Sequence, residues 1–385
     1  MKANMSKKIR LIIFIFLAAT YFIAAPILIY YAIGYRINFD NRTIFSTGGF
    51  YLKFWPQEVK ISIDQNSPAQ TGIFSNEELI QGLSPKKYNI LVEKEGYFSW
   101  DKSLDIEEKK ITKIENVTLI KKDLTFSLAI DNISNIFLSP DSDLLLGINL
   151  PNYTFSIFDS QNKRVKNTFT IPGVTANDAK NIFVALWDQN IKTIYIGIKD
   201  NPTQYFSVEY SKAGALTPKP FKFNNDIEGV SSLNGSTFKE TDNNILLQNA
   251  ETKEFEPIFD GKGIAFSNDK SKVLFFNNHE VLYANASGLE EKFPLLEFPG
   301  TIADCEWLNN NYIICSVSNE IKIFEIDFRD KINTVTLKIN LLSEDNTSLT
   351  LKNPKIIFDT KNKYLYVLNE KTLFVSDPLT DKSNR

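Results

Sequence analysis

Few residues in this chain have the type and spacing to do chemistry. The single histidine, His279, sits in Asn277-Asn278-His279-Glu280 between two apolar runs. One imidazole completes neither a metal site nor a Ser/His pair without further groups, so it reads as a turn residue. Cys305 and Cys315 flank Asn309-Asn310-Asn311. A hairpin with a three-residue loop would set them opposite each other, and an exported protein could oxidise them. Pairing across a hairpin constrains geometry tightly, so two buried thiols acting as small hydrophobes are the favoured expectation. Ser84-Pro85-Lys86-Lys87 has the Ser-x-x-Lys spacing of acyl-transfer enzymes, but so do Ser160 to Lys163 and Ser267 to Lys270. No companion motif accompanies any of the three, and each reads as a turn. Asp141-Ser142-Asp143 offers two carboxylates without the ring of further oxygens that calcium requires. The expectation is therefore no catalytic residue, no cofactor and no metal.

The elements that would position any site are more legible. The formal net charge of −3 averages two unlike segments. Residues 1–36 carry five basic groups and no acid, which leaves 38 basic against 46 acidic groups in the remaining 349 residues. An acidic body of that kind has no electrostatic footprint for nucleic acid. From Leu11 to Tyr35 run 25 uncharged residues, long enough for a tilted helix to cross a bilayer. Tyr30, Tyr31 and Tyr35 lie near its far end, where interfacial rings are favoured, and Pro26 interrupts the run. Lys7-Lys8-Ile9-Arg10 would also suit a cleaved signal peptide, but the apolar run exceeds the usual length of one. The expectation is a basic cytoplasmic tail at 1–10, a transmembrane helix at 11–35, and an exported body.

Residues 37–121 carry two alternating runs. In Val59-Lys60-Ile61-Ser62-Ile63-Asp64 the odd positions are apolar, and in Tyr88-Asn89-Ile90-Leu91-Val92-Glu93 the residues Tyr88, Ile90 and Val92 share a face. Turns are expected at Ser84-Pro85-Lys86 and at Glu95-Gly96-Tyr97, with Gly96 free to take positive φ. A small antiparallel sheet unit without a helix follows. The strings Trp55-Pro56-Gln57-Glu58-Val59, Gly82-Leu83-Ser84-Pro85 and Lys94-Glu95-Gly96-Tyr97, with Gly34-Tyr35-Arg36 and Thr47-Gly48-Gly49 upstream, resemble the PEGA domain of bacterial membrane-anchored proteins. The family's tetrapeptide is Pro56-Gln57-Glu58-Val59 here, and its Pro-Gly is Pro85-Lys86. The resemblance implies a small β-sandwich acting as a spacer or binding module.

Residues 123–385 repeat. A bulky apolar residue, a polar turn rich in Asp and Asn, and an apolar run recur from Leu138, Trp187, Phe266, Trp307 and Phe358, with a degraded copy near Ser232-Leu233-Asn234-Gly235. An alternating strand that ends in a polar turn is expected after each copy, as in 155–160, 281–285, 321–327 and 373–377. Six repeats in this region give about 44 residues each, the period of a four-stranded propeller blade. Neighbouring blades bury each other's faces, and ring closure leaves few open edges. Leu138-Ser139-Pro140-Asp141 and Phe266-Ser267-Asn268-Asp269 also resemble the blade motif of TolB-type, WD-repeat-like propellers. Six and seven blades both remain open, and 124–130 is expected to supply an outer strand that closes the ring.

The fold class is thus all-β behind one transmembrane helix: a PEGA-like β-sandwich, then a six- or seven-bladed β-propeller. The implied function is a single-pass bacterial envelope protein whose partner is an envelope protein or a cell-wall glycan. The alternative is a propeller hydrolase or lyase, which would require Asp, Glu, Arg or Tyr side chains to converge on the channel.

Overall fold

The computed structural model describes residues 7–38, 43–64, 69–70, 75–149, 151–160, 164–175, 178, 181–199, 202–211, 214–223, 230–233, 236–241, 243–342 and 348–381. Lys7–Ala32 is a helix of 26 residues with no buried side chain, and it runs through Pro26. It is long and apolar enough to cross a membrane, a property that signal sequences share. Beyond it, Gly34 takes φ +98° and its carbonyl accepts from both the amide (2.8 Å) and the hydroxyl (2.7 Å) of Thr47.

The chain divides into two compact units, one running through Glu95 and resuming at Ser99–Leu119, the other comprising Gly96–Phe98 and everything from Ile120 onward. In the first unit, Gly48–Trp55 is the middle strand of a three-stranded sheet, antiparallel to Glu77–Leu83 and parallel to Ile111–Thr118. A second, antiparallel sheet orders Ala69–Gln70, Lys60–Ile63, Lys87–Glu93 and Trp100–Asp105. The expected wholly antiparallel unit is therefore corrected, because Ile111–Thr118 returns to run beside Gly48–Trp55 in the same direction. The alternation places residues as expected: Val59, Ile61, Tyr88, Ile90 and Val92 are all buried. Gly49 is fixed by contact, since a Cβ there would lie 2.4 Å from the Ile80 carbonyl.

Among the described residues the second unit contains six sheets of at least four strands, which are six blades. Their first strands are Ile133–Leu138, Ile182–Asp188, Val230–Leu233, Gly263–Phe266, Ile302–Asn309 and Lys355–Phe358, which we number blades 1 to 6. Every complete copy of the repeat is the hairpin between the first and second strands of a blade. The alternating strands at 155–160, 281–285, 321–327 and 373–377 are third strands. The degraded copy falls in the hairpin of blade 3; its Asn234 and Gly235 lie outside the described residues. Phe126–Ile130 pairs antiparallel with Thr372–Ser376 as the outermost strand of blade 6, so the ring closes between the two ends of the propeller.

The polar residues of the repeat close their own turns. In blade 1, Ser139 Oγ donates to Asp141 Oδ1 (2.6 Å) and accepts from Leu144 N (2.9 Å), with Ser142 at φ 60°. Blade 4 repeats this with Ser267, Asp269 and Lys272, and with Lys270 at φ 57°. Side-chain oxygens that cap turn amides make the left-handed residue tolerable, which is why Asp, Asn and Ser recur there. Apolar faces then pack between blades. Leu274 and Val281 of blade 4 bury against Ile302 and Trp307 of blade 5, and Ile133 and Leu145 of blade 1 against Tyr366 and Val375 of blade 6.

Cys305 and Cys315 are directly opposed in blade 5, with Cα atoms 4.1 Å apart, and they form a disulfide. The expected pair of free thiols is thus corrected. Two residues, Asn310 and Asn311, turn the hairpin, and a bulge between Trp307 and Asn309 restores the register that opposes the sulfurs.

Candidate functional site

The first strand of each blade lines the channel, and at the end of the ring where these strands begin the lining becomes polar. Asp304 and Glu306 stand two residues apart on the first strand of blade 5, hence on one face, while Cys305 and Trp307 point into the core between blades 4 and 5. Each carboxylate accepts from the next first strand: Asp304 Oδ2 from Ile356 N at 3.4 Å, and Glu306 Oε2 from Phe358 N at 2.7 Å. Lys355 continues the chain of contacts, its Nζ donating to Asn135 Oδ1 (2.9 Å) and to the Ile136 carbonyl (3.5 Å) of blade 1. The three side chains clasp blades 5, 6 and 1 together along their inner edges.

Asp304, Glu306 and Lys355 keep some solvent contact through the lumen, yet protein encloses them on the other sides. That enclosure sets their protonation. Desolvation pushes Glu306 up to about 8, helped by the negative charge of Asp304 and opposed by the Phe358 amide and Lys355. Asp304 is also raised by desolvation, against the pull of Lys355. Burial lowers Lys355, and the two carboxylates oppose it. Two carboxyls on alternate residues of one strand cannot both ionise cheaply, so near neutral pH the pair holds a proton. Glu240, beside the first strand of blade 3, is exposed to the lumen but walled closely enough that desolvation raises it to about 7, against the ammonium of Lys199.

Two cavities meet here. One, of about 460 Å³, is lined by Glu240, Lys262, Phe276, Asp304, Glu306 and Lys355. The other, also about 460 Å³, lies at the seam of blades 2 and 3 and includes Phe183, Lys199, Ser231, Glu240 and Lys262. They share Glu240, Lys262 and Ile264. Both fall in the range of about 300–1,000 Å³ expected of small-molecule sites. Phe183 in turn meets Tyr205 edge to face (6.1 Å), at the head of an aromatic layer with Phe221 and Phe223 on the face of blade 2 that points away from blade 1.

No family model matches the chain, and no curated protein does. Among solved structures, it is similar to a luciferin-regenerating enzyme at 11% identity, covering 68% of this chain and 100% of that one, with a TM-score of 0.45. Virginiamycin B lyase from Staphylococcus aureus is similar at 12% identity, with coverage of 66% and 99% and a TM-score of 0.38. The WD40 repeats of RRP9 are similar at 11% identity, with coverage of 66% and 97% and a TM-score of 0.41. The six sheets of the chain itself establish the propeller.

The residues first examined for chemistry lie elsewhere. His279 is exposed in the turn between the second and third strands of blade 4, its amide donating to Asn277 Oδ1 (2.8 Å), beside a third cavity, of about 400 Å³, that touches the other two at Lys262. The Ser267 hydroxyl is consumed by its turn, and Ser160 Oγ donates to the Ser142 carbonyl at 2.6 Å. Lys163 lies outside the described residues. Asp141 closes its turn, and Asp143 pairs with Lys361 at 2.5 Å. Among the described residues no group of three or more His, Cys, Asp or Glu is placed to hold a metal. The Asp304–Glu306 pair was not singled out from sequence. Its signal was there: in Ala303-Asp304-Cys305-Glu306-Trp307, acids alternate with core residues immediately before a copy of the repeat.

Proposed function

We propose that the chain is a single-pass, membrane-anchored bacterial envelope protein with its N-terminus in the cytoplasm. In this reading the 37–121 unit is a PEGA-like spacer, and the propeller offers its channel mouth to an envelope protein or a cell-wall glycan. The observation that carries it is the cluster of Asp304, Glu306, Lys355, Glu240 and Lys262 around two joined cavities, in a ring whose blades pack on one another largely through apolar side chains. The basic flank preceding the apolar helix supports the orientation.

A photo-cross-linker at Asn353, an exposed residue lining the mouth, tests this in intact cells. Capture of a discrete extracytoplasmic partner at Asn353, but not at exposed Lys253 at the opposite end of blade 3, is the expected result. Equal capture at both positions, or none, overturns the reading.

The enzyme alternative gains one specific observation, the convergence of carboxyls that it required. A carboxylic acid held protonated near neutral pH beside a second carboxyl is the arrangement general acid catalysis uses. Both carboxyls, however, already accept backbone amides from blade 6, so a holding role accounts for their placement without a reaction.

A further inference from the structure

We propose that the groove joining the two cavities binds an uncharged, hydroxyl-rich saccharide, lodged between Phe183 and Ser231 at one end and Asp304 and Lys355 at the other. The inference rests on the reading of the channel mouth as the binding surface, and it names the ligand class.

Three observations converge on that class. First, the groove sets ammoniums beside carboxyls in equal number, Lys199, Lys262 and Lys355 among Glu240, Asp304 and Glu306, so each side chain already has a partner of the opposite kind in the lining. A ligand of net charge would have to break one of these pairings in an enclosed site, where an uncompensated charge is costly. Hydroxyls match both partners, since each accepts from an ammonium and donates to a carboxylate. Second, the walls between the polar groups are apolar: Phe183 and Phe266 on one side, Phe276 on the other, with Ile264 shared. A pyranose ring has polar edges and C–H faces that fit such walls. Third, the buried hydroxyl of Ser231, in the wall beside Glu240, finds no hydrogen-bond partner among the described residues. A buried polar atom left unsatisfied in a cavity calls for one, and a ligand hydroxyl can supply it.

The test uses the full chain in lipid nanodiscs and saturation-transfer NMR with three neutral probes: cellotetraose, maltotetraose and tetra-N-acetylchitotetraose. At least one is expected to bind, with affinity reduced about tenfold or more by Glu240→Ala and abolished by Ser231→Leu, which fills the cavity. Thermal melts of both variants close to that of the parent place the loss at the site. Should Ser231→Leu fail to fold, Phe183→Leu removes the aromatic wall and is expected to weaken binding by a similar factor. Absence of binding by all three probes overturns the proposal, as does binding that survives both Glu240→Ala and the cavity variant. Capture of a polypeptide at Asn353 without saccharide binding removes the ligand class and leaves the channel mouth as the binding surface. No capture at Asn353 removes the mouth reading itself.

Discussion

Glu306 shows how a single position can hold a fold and a site in tension. Its carboxyl titrates near 8 in the folded chain, whereas an ordinary glutamate titrates near 4.3. A raised acid binds its proton more tightly when folded. Its favourable contribution is therefore complete below the unfolded value and is lost as the pH climbs through about 8. Glu306→Gln keeps an acceptor for the Phe358 amide and removes the ionisation. The variant is expected to melt about 2–4 °C higher than the parent at pH 9, a shift of roughly 1 kcal/mol, and to match it at pH 4, below the unfolded value. Melting curves at the two values check this, and an equal gain at both would mean that packing, not charge, is responsible. Asp304 and Lys355, the groups facing Glu306, remain in place in this comparison. The site escaped sequence reading for a physical reason: nothing in a strand's own pattern says that its polar face meets five other strands around a channel.

The hairpins between first and second strands were the most legible elements, because their information is local. The turn at Asp359 is the tightest example. Its fully buried carboxylate accepts from Lys361 N (2.9 Å), Asn362 N (2.8 Å) and Asn362 Nδ2 (2.8 Å). Asp359→Ala leaves those donors without an acceptor in a buried turn and is expected to cost about 2–3 kcal/mol. The matching Asp188→Ala, where a half-buried carboxylate caps Asn190 N and Ile191 N, should cost nearer ~1 kcal/mol. Denaturant midpoints for the pair check the ranking, and equal costs would show that burial of the turn is not what matters. Local chemistry also has limits. The parallel pairing of Gly48–Trp55 with Ile111–Thr118 joins segments far apart in the chain and leaves no mark on either one. The disulfide turned on one bulged residue in a hairpin, which shifts register without changing composition.

At the scale of the whole molecule, the repeat gave the blades and the closing strand, while the count of six came only from pairing. Closure by Phe126–Ile130 builds one blade from segments at opposite ends of the propeller. Ser127→Pro removes an amide from that ladder, since Ser127 stands opposite Val375 two residues along from the bonded Thr125–Asp377 pair and proline has no N–H to donate. Amides in Thr372–Ser376 should then exchange about tenfold faster, with blade 3 unaffected; uniform acceleration would mean the ring unfolds as one unit. The position of this strand also decides where mechanical load falls. Among the strands of the blades, Phe126–Ile130, the outermost of blade 6, is the first along the chain, so tension that passes the contacts at 96–98 and 120–121 falls next on it. At about 4.8 Å per strand, that point lies roughly 14 Å across the sheet from Lys355 and its neighbours on the inner edge. A pull on the tether would peel the latch of the ring while the channel side of the blade stays shielded behind two intervening ladders.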